Sequence, residues 1–230
     1  MSPPPSRPHI ICHMATSLDG RLRVERWPCS DMEVLATYEE LSVRFDADGW
    51  IVGRKTMEHH VASGEPNIAP GPKHRADHVA SGVSGQIAVC FDRQGRLRPE
   101  TGEIDGDHLV LVLSDRASDD HVDFLVARGV SVFFAGPEGN DIGDALVRVR
   151  SAFGTERLLL EGGGVINGAF LEADLIDETS TLVFPVVDAE QGSPSIYENT
   201  RKGRARQLEL LSAHTLDGGI VWLRHRVVRG

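Results

Sequence analysis

Cysteine is scarce: Cys12, Cys29 and Cys90 are an odd number, widely spaced and without a C-x-x-C pair. That usage argues against a disulfide framework and against a structural zinc site, and it fits a reducing compartment. No stretch approaches the ~18 consecutive apolar residues of a membrane span. Positive charge is also in deficit, with 24 Lys and Arg against 34 Asp and Glu, a formal net charge of −10. A broad surface for nucleic acid is therefore not expected, because phosphate binding draws on clustered Lys and Arg; a local basic pocket remains compatible. The opening MSPPPSRP lacks the apolar core of a secretory signal. Residues 1–8 are expected to form a short disordered tail on a cytoplasmic protein.

The chain is 230 residues long with 40% hydrophobic and 25% charged residues, the balance of a folded globular protein. One domain over residues 9–230 is the simplest reading. Apolar runs of strand length occur at 9–14, 50–52, 86–91, 108–113, 130–135, 158–160, 179–187 and 220–228, several of them nearly continuous, as in strands covered on both faces. Helical spacing links Leu35, Tyr38, Leu41 and Phe45, and again Ile142, Leu146, Val149 and Phe153. Ser118 is placed to cap a helix whose first turn holds Asp119 and Asp120 and which Gly129 ends. Strand and helix alternate to about Phe170; after Asp177 only strand-like runs and loops follow. The expected fold is α/β with three α-β-α layers, a mostly parallel mixed sheet and an antiparallel C-terminal edge. Residues 59–85 lack periodicity and read as a long loop, a kind of segment that often serves as a lid.

Three strand-to-helix corners carry chemistry. In RLLLEGGGVINGAF, Gly162, Gly163 and Gly164 let backbone amides approach a phosphate group while the helix opening at Val165 adds the positive end of its dipole; a tight turn is the plainer alternative. In WIVGRKTME, Gly53 permits the turn, Arg54 offers a fork of donors and Thr56 a hydroxyl. In LVLSDRAS, Ser114 and Arg116 follow a strand. Ordinary capping explains any one of them, but open α/β sheets bind ligands along the edge where strands end. At the first such edge stand Ser17, Asp19 and Gly20, where Asp19 either closes an Asx turn or faces a ligand. The G-x-G-x-x-G fingerprint is not met, since Asn167 stands at its third glycine, and no G-x-x-x-x-G-K-[ST] occurs.

Four segments, MATSLDGRL, VGRKTM, LLLEGGGVINGAFLEADLIDE and VFPVVDAEQGSPSIYE, together resemble the dihydrofolate-reductase-like family and, within it, the pyrimidine reductases of riboflavin biosynthesis. The resemblance spans nearly everything after the tail. It implies NADPH as hydride donor, commonly a homodimer, and often a cis peptide between two of the glycines. Carried onto this chain, it places Gly53, Arg54, Thr56, Ser114 and Arg116 near the adenosine phosphates, and Gly162, Gly163, Gly164, Val165 and Ile166 along the pyrophosphate and nicotinamide. Ser17, Asp19 and Glu161 are the candidates for holding a polar substrate, and Asp19 and His13 for catalysis. Bifunctional bacterial relatives frequently carry Lys where this chain has His13 and Arg21; a core His13 satisfied by backbone is the alternative. The zinc deaminase motif of those relatives is missing.

Two other readings follow from the same residues. A dihydrofolate or other pterin reductase would use Asp31, at the start of a helix, as its ring-protonating carboxylate. A non-catalytic nucleotide-binding protein would keep the cleft without turnover. Asp115 beside Arg116 weighs toward NADH, because an acid repels a 2′-phosphate. No metal is expected: His59, His60, His74 and His78 lack a helix to align them and an acidic partner.

Overall fold

The computed structural model describes residues 6–198 and 203–229. In chain order they form β1 (His9–Thr16), α1 (Asp31–Ser42), β2 (Gly49–Gly53), α2 (Arg54–Met57), β3 (Ile87–Phe91), β4 (Glu103–Ile104), β5 (Asp107–Leu113), α3 (Asp119–Val126), β6 (Ser131–Phe134), α4 (Ile142–Phe153), β7 (Arg157–Leu160), α5 (Gly164–Glu172), β8 (Glu178–Val183), β9 (Leu208–Thr215) and β10 (Val221–Val227). Two compact units result: a middle unit of Met1–Pro8 and Asp48–Leu158, and a flanking unit of His9–Ala47 and Leu159–Gly230.

In the middle unit, β2, β3, β5 and β6 run parallel, with Gly49 opposite Ile87, Ile87 opposite His108 and Val110 opposite Ser131. The short β4 pairs antiparallel with the start of β5. All five residues of β3, Ile-Ala-Val-Cys-Phe, are buried, which explains a continuous apolar run where an alternating one would leave polar atoms in the core. Val52, Leu111, Leu125 and Val132 belong to one buried cluster; each such side chain contributes roughly 2 kcal/mol by leaving water. Helix α3 starts as its sequence requires, the Ser118 hydroxyl accepting the His121 N–H at 3.2 Å. Helix α4 buries Ile142, Leu146 and Val149, the expected face.

The flanking unit pairs β1 with β8 in parallel, and β10 with both β8 and β9 antiparallel, so the antiparallel C-terminal margin is present. The run at 179–187 leaves the sheet after Val183, just before Pro185, which has no N–H for a ladder. On α1 the inward positions are Val34 and Leu41, while Leu35 is 54% exposed. The buried stripe thus starts one residue earlier than the Leu35 spacing predicts, at Val34, and continues through Tyr38 and Leu41 to Phe45.

The long aperiodic loop is tied down. Between Asn67 and Ala80 it runs along the carboxyl end of β5 and the outer edge of β6: Ala69 and Lys73 donate to the Arg116 and Asp115 carbonyls, and His78 exchanges both backbone bonds with Val132. Its order comes from β5 and β6, and its own sequence carries no period. Of the expected tail, residues 1–5 lie outside the described residues; the carbonyls of Ser6 and Arg7 accept from Arg150, and Pro8 is buried.

Candidate active site

In the flanking unit, β1 ends at Thr16 and the chain turns back within a few residues. Ser17, itself buried, donates from Oγ to Asp19 Oδ1 at 2.7 Å and accepts the Arg21 N–H at 2.9 Å. Asp19 reaches further than an Asx turn: Oδ1 takes the Asp188 N–H and Oδ2 the Ala189 N–H, each at 3.0 Å. Arg21 donates to the Ser193 carbonyl at 2.7 Å, and Leu18 to that of Val186 at the same distance. Arg26 grips Asp188 at 3.1 Å and Glu190 at 3.1 Å. The loop after β8 is therefore clasped onto the turn after β1, with Asp19 as the hook.

The Asp188 N–H first, and then the Ser17 hydroxyl, hold the Asp19 carboxyl down at about 2. A carboxylate so held carries no proton near neutral pH. Asp19 thus stands as a fixed anion that shapes the loop.

His13 is enclosed more completely. It is 0% exposed, its Nδ1 lies 2.9 Å from Ser180 Oγ and its Nε2 3.2 Å from the Tyr38 carbonyl. Burial pulls its pKa down to about 4. A neutral ring with both nitrogens engaged and no exposed atom has the surroundings of a satisfied core histidine. Asp31, the candidate of the pterin reading, is the exposed first residue of α1. The chain there is fixed by Ser30 and Glu33, with the Ser30 N–H donating to Glu33 Oε2 at 3.3 Å and the Glu33 N–H to the Ser30 carbonyl at 3.0 Å. Asp31 takes no part in the contacts around Ser17 or Glu161.

At the end of β7, Glu161 is half-buried, while the Tyr38 hydroxyl donates to the His13 carbonyl at 2.9 Å. The Gly162–Gly163 peptide is cis, and Gly162 has φ +91, a region that excludes other residues for steric reasons. Gly164 is glycine for another reason: a Cβ there would lie 2.2 Å from the Ser195 carbonyl oxygen. The segment Ser195–Glu198 lies directly on the start of α5, and the buried Asn167 donates to the Ile196 carbonyl at 3.0 Å. Asn167, which breaks the dinucleotide fingerprint, thus ties down that segment. Val165, in contrast, is 61% exposed beside the turn, and Ile166 is half-buried.

In the middle unit, Gly53 closes β2 and Arg54 opens the four-residue α2 with its guanidinium paired to Glu58. Thr56, within α2, is half-buried. Ser114 is buried and spends its hydroxyl hydrogen on the Arg93 carbonyl at 2.7 Å, so it shapes its corner instead of offering a donor. Arg116 has only a loose ion pair, 3.9 Å from Glu138. Asp92, at the end of β3, is 1% exposed; its Oδ2 takes the Arg96 and Leu97 N–H groups at 2.6 and 2.8 Å. Burial pushes its carboxyl up. The four histidines of the long loop form no metal-binding group among the described residues.

Sequence reasoning missed Asp92, the role of Tyr38 and the clasp by the 186–195 loop. Tyr38 had the only available signal, a polar-tipped aromatic on a buried helix face, whose hydroxyl needs a partner.

Strands that end in polar corners, a glycine turn opening a helix and an antiparallel margin define an α/β ligand-binding fold of the kind seen in pyrimidine reductases. The RibD C-terminal domain family model matches residues 8–222, and the chain belongs to that family. It is 27% identical over 221 residues to the 2,5-diamino-6-ribosylamino-4(3H)-pyrimidinone 5′-phosphate reductase of Methanothermobacter thermautotrophicus, covering 94% of this chain and 96% of that protein. A reductase of the same name from Aquifex aeolicus is 23% identical over 196 residues, 83% of this chain and 82% of that protein. Among solved structures, a pyrimidine reductase-like protein from Corynebacterium diphtheriae matches with TM-score 0.72 at 16% identity, over 97% of this chain and 93% of that one.

Proposed function

We propose that the chain is an NADPH-dependent reductase of riboflavin biosynthesis that converts a phosphoribosylaminopyrimidine into its ribitylamino form. The observation that carries this reading is the end-to-end similarity to the M. thermautotrophicus reductase, 96% of which is covered. The polar turn of Ser17 to Arg21 and the Glu161 glycine turn are the parts of the flanking unit suited to the work.

The residues present fit a nicotinamide dinucleotide. Arg116 is a partly exposed cation with a weak partner, and Arg54 is held by one carboxylate; both suit phosphate oxygens. With Gly53 and Thr56 they are assigned to the adenosine phosphates, and Ser114 is assigned to shaping that corner. Gly162, Gly163 and Gly164 supply bare backbone, and the exposed Val165 with Ile166 supplies an apolar wall for the nicotinamide side. When bound, NADPH supplies the hydride that reaches C1′ of the opened sugar. The chain's own part is orientation: Glu161 holds the polar substrate, and Ser17, its hydroxyl spent on Asp19, helps Asp19 keep the loop around it closed. Neither Asp19 nor His13 is assigned a proton transfer.

A homodimer in the cytoplasm completes the reading. Among the described residues strand β9 pairs on one side only, and its Leu208, Leu210 and Leu211 are 45%, 58% and 39% exposed. An apolar edge of this kind calls for cover.

The deciding experiment mixes purified protein with NADPH and, separately, the phosphoribosylaminopyrimidine, its uracil form and dihydrofolate, following loss of reduced-nicotinamide absorbance. Oxidation with a phosphoribosylaminopyrimidine is expected. Oxidation with dihydrofolate alone, or cofactor binding without oxidation, overturns the proposal. Gly163→Val should weaken NADPH binding by at least tenfold in a folded protein, and light scattering should give twice the mass of one chain.

A further inference from the structure

We propose that Arg21 binds the phosphate group of the pyrimidine substrate; this deepens, and rests on, the reductase reading of the same site. The turn that carries Arg21 is closed by its own backbone. The Ser17 N–H donates to the Arg21 carbonyl and the Gly20 N–H to the Ser17 carbonyl, each at 3.0 Å. Thr16 Oγ1 adds a second donor to the Arg21 carbonyl at 3.1 Å. The side chain therefore leaves a fixed base, and its Nη1 is steered by the Ser193 carbonyl at 2.7 Å.

Most of the guanidinium remains unspent. Of its five N–H donors, one on Nη1 meets Ser193, and Nε is buried with no acceptor among the described residues. Nη2 also meets no acceptor among them, yet it is not a buried atom, and the side chain is 32% exposed. Asp19 does not use these donors. Its Oδ2 stands 3.8 Å from Nε, beyond hydrogen-bond reach, and both its oxygens already accept from Ser17, Asp188 and Ala189.

No other cation of the flanking unit matches this one. The described residues of that unit include no lysine. Its other described arginines, Arg204 apart, each lie within 3.3 Å of a carboxylate. Arg204 belongs to the far end of α5: its carbonyl is held by Arg206, which also grips Asp174 and the Leu171 carbonyl. A phosphoribosylaminopyrimidine carries a phosphomonoester that is largely dianionic at neutral pH. An open guanidinium fork suits its oxygens, and Arg21 presents one beside the polar turn.

The test compares one pyrimidine with and without its phosphate, the second made from the first by a phosphatase. Steady-state oxidation of NADPH is followed for the wild type, Arg21→Gln and Arg21→Lys. The wild type is expected to prefer the phosphorylated form by about thirtyfold in kcat/KM. In Arg21→Gln the KM for that form should rise toward the KM for the dephosphorylated one, which moves far less. Arg21→Lys keeps the charge without the fork and should retain part of the preference. A fall shared equally by both substrates marks a merely structural part in the loop and overturns the proposal, as does an unchanged preference in Arg21→Gln. Calorimetry with ribose 5-phosphate on NADPH-saturated protein reads the contact without turnover: Arg21→Gln should bind at least tenfold more weakly. Equal affinity, or no binding to the wild type, overturns the proposal. A wild type that oxidises no NADPH with the pyrimidine removes the reductase reading, and the calorimetric comparison then decides whether Arg21 is a phosphate site.

Discussion

His13 and Asp19 stand on the same strand and its exit, and both are polar residues in a motif that suggests catalysis. The structure gives them opposite physics. His13 is sealed, neutral and satisfied by uncharged partners. Asp19 is at the surface, ionised, and held by three N–H and O–H donors. One is stable because it never becomes charged, the other because it never loses its charge. Proximity to a ligand edge in the sequence therefore does not define a role; the donors and acceptors waiting at each position do.

The contrast is broken most severely by His13→Lys, which restores the residue that bifunctional relatives frequently carry. An ammonium there would sit in a site that is 0% exposed with the uncharged Ser180 hydroxyl and Tyr38 carbonyl as its polar neighbours, and a cost of about 3–5 kcal/mol should appear as a large fall in Tm or as insoluble protein. A variant with wild-type Tm would show that the pocket opens to solvent.

Acid titration separates the two residues next. His13 and His121 each have a folded pKa of about 4 against an ordinary 6.5, both chiefly through burial. Protons then bind the unfolded chain first, so stability is full above pH 6.5 and falls as pH drops from 6.5 toward 4. The loss is roughly 3 kcal/mol for each histidine as an upper bound. Asp19 runs the same way in a lower window: its stabilisation is present above its ordinary value of 3.8 and is lost as pH falls through about 2. Denaturant melts from pH 7 to 3 should show the histidine step before any carboxylate step, and a flat profile between 6.5 and 4 would contradict the sealed His13.

Asp19→Asn has a smaller, local effect. The amide nitrogen would face N–H groups that now meet a carboxylate, the loop clasp should loosen, and kcat/KM for the pyrimidine should fall about tenfold with little change in Tm. The smallest effect is expected at Asp119, which pairs with Lys73 and with Arg75 at 2.6 Å but is 57% exposed. Surface pairs of this kind contribute little, so Asp119→Ala should leave Tm and NADPH affinity within error. Measurable loss there would mean that the ties of the 67–80 segment are unequal in a way its backbone bonds do not suggest.

Much of the fold was legible because burial leaves a direct mark on sequence. The continuous run at 87–91, the stripe of α4 and the cap at Ser118 each follow from one local rule. What was not legible depends on partners far along the chain. The 59–85 loop has no period because its hydrogen bonds belong to Val132, Asp115 and Arg116. β9 was not singled out because its eight residues are exposed or nearly so, which removes the alternation that marks a half-buried strand. At the site, the glycine turn was read from its place between a strand and a helix, but the reason for Gly164 is the Ser195 carbonyl. Asp19 was singled out from its place past β1, but its hold on the backbone of Asp188 and Ala189 is invisible from residue 19.

Trp222, finally, turns the buried polar chain into something that can be watched. Its indole N–H ends on the Ser180 oxygen that also serves His13, so charging the imidazole would disturb the indole within two bonds. Light emission from this unlabelled side chain should therefore dim as the interior takes up its proton, and the native protein reports the electrical state of its own core.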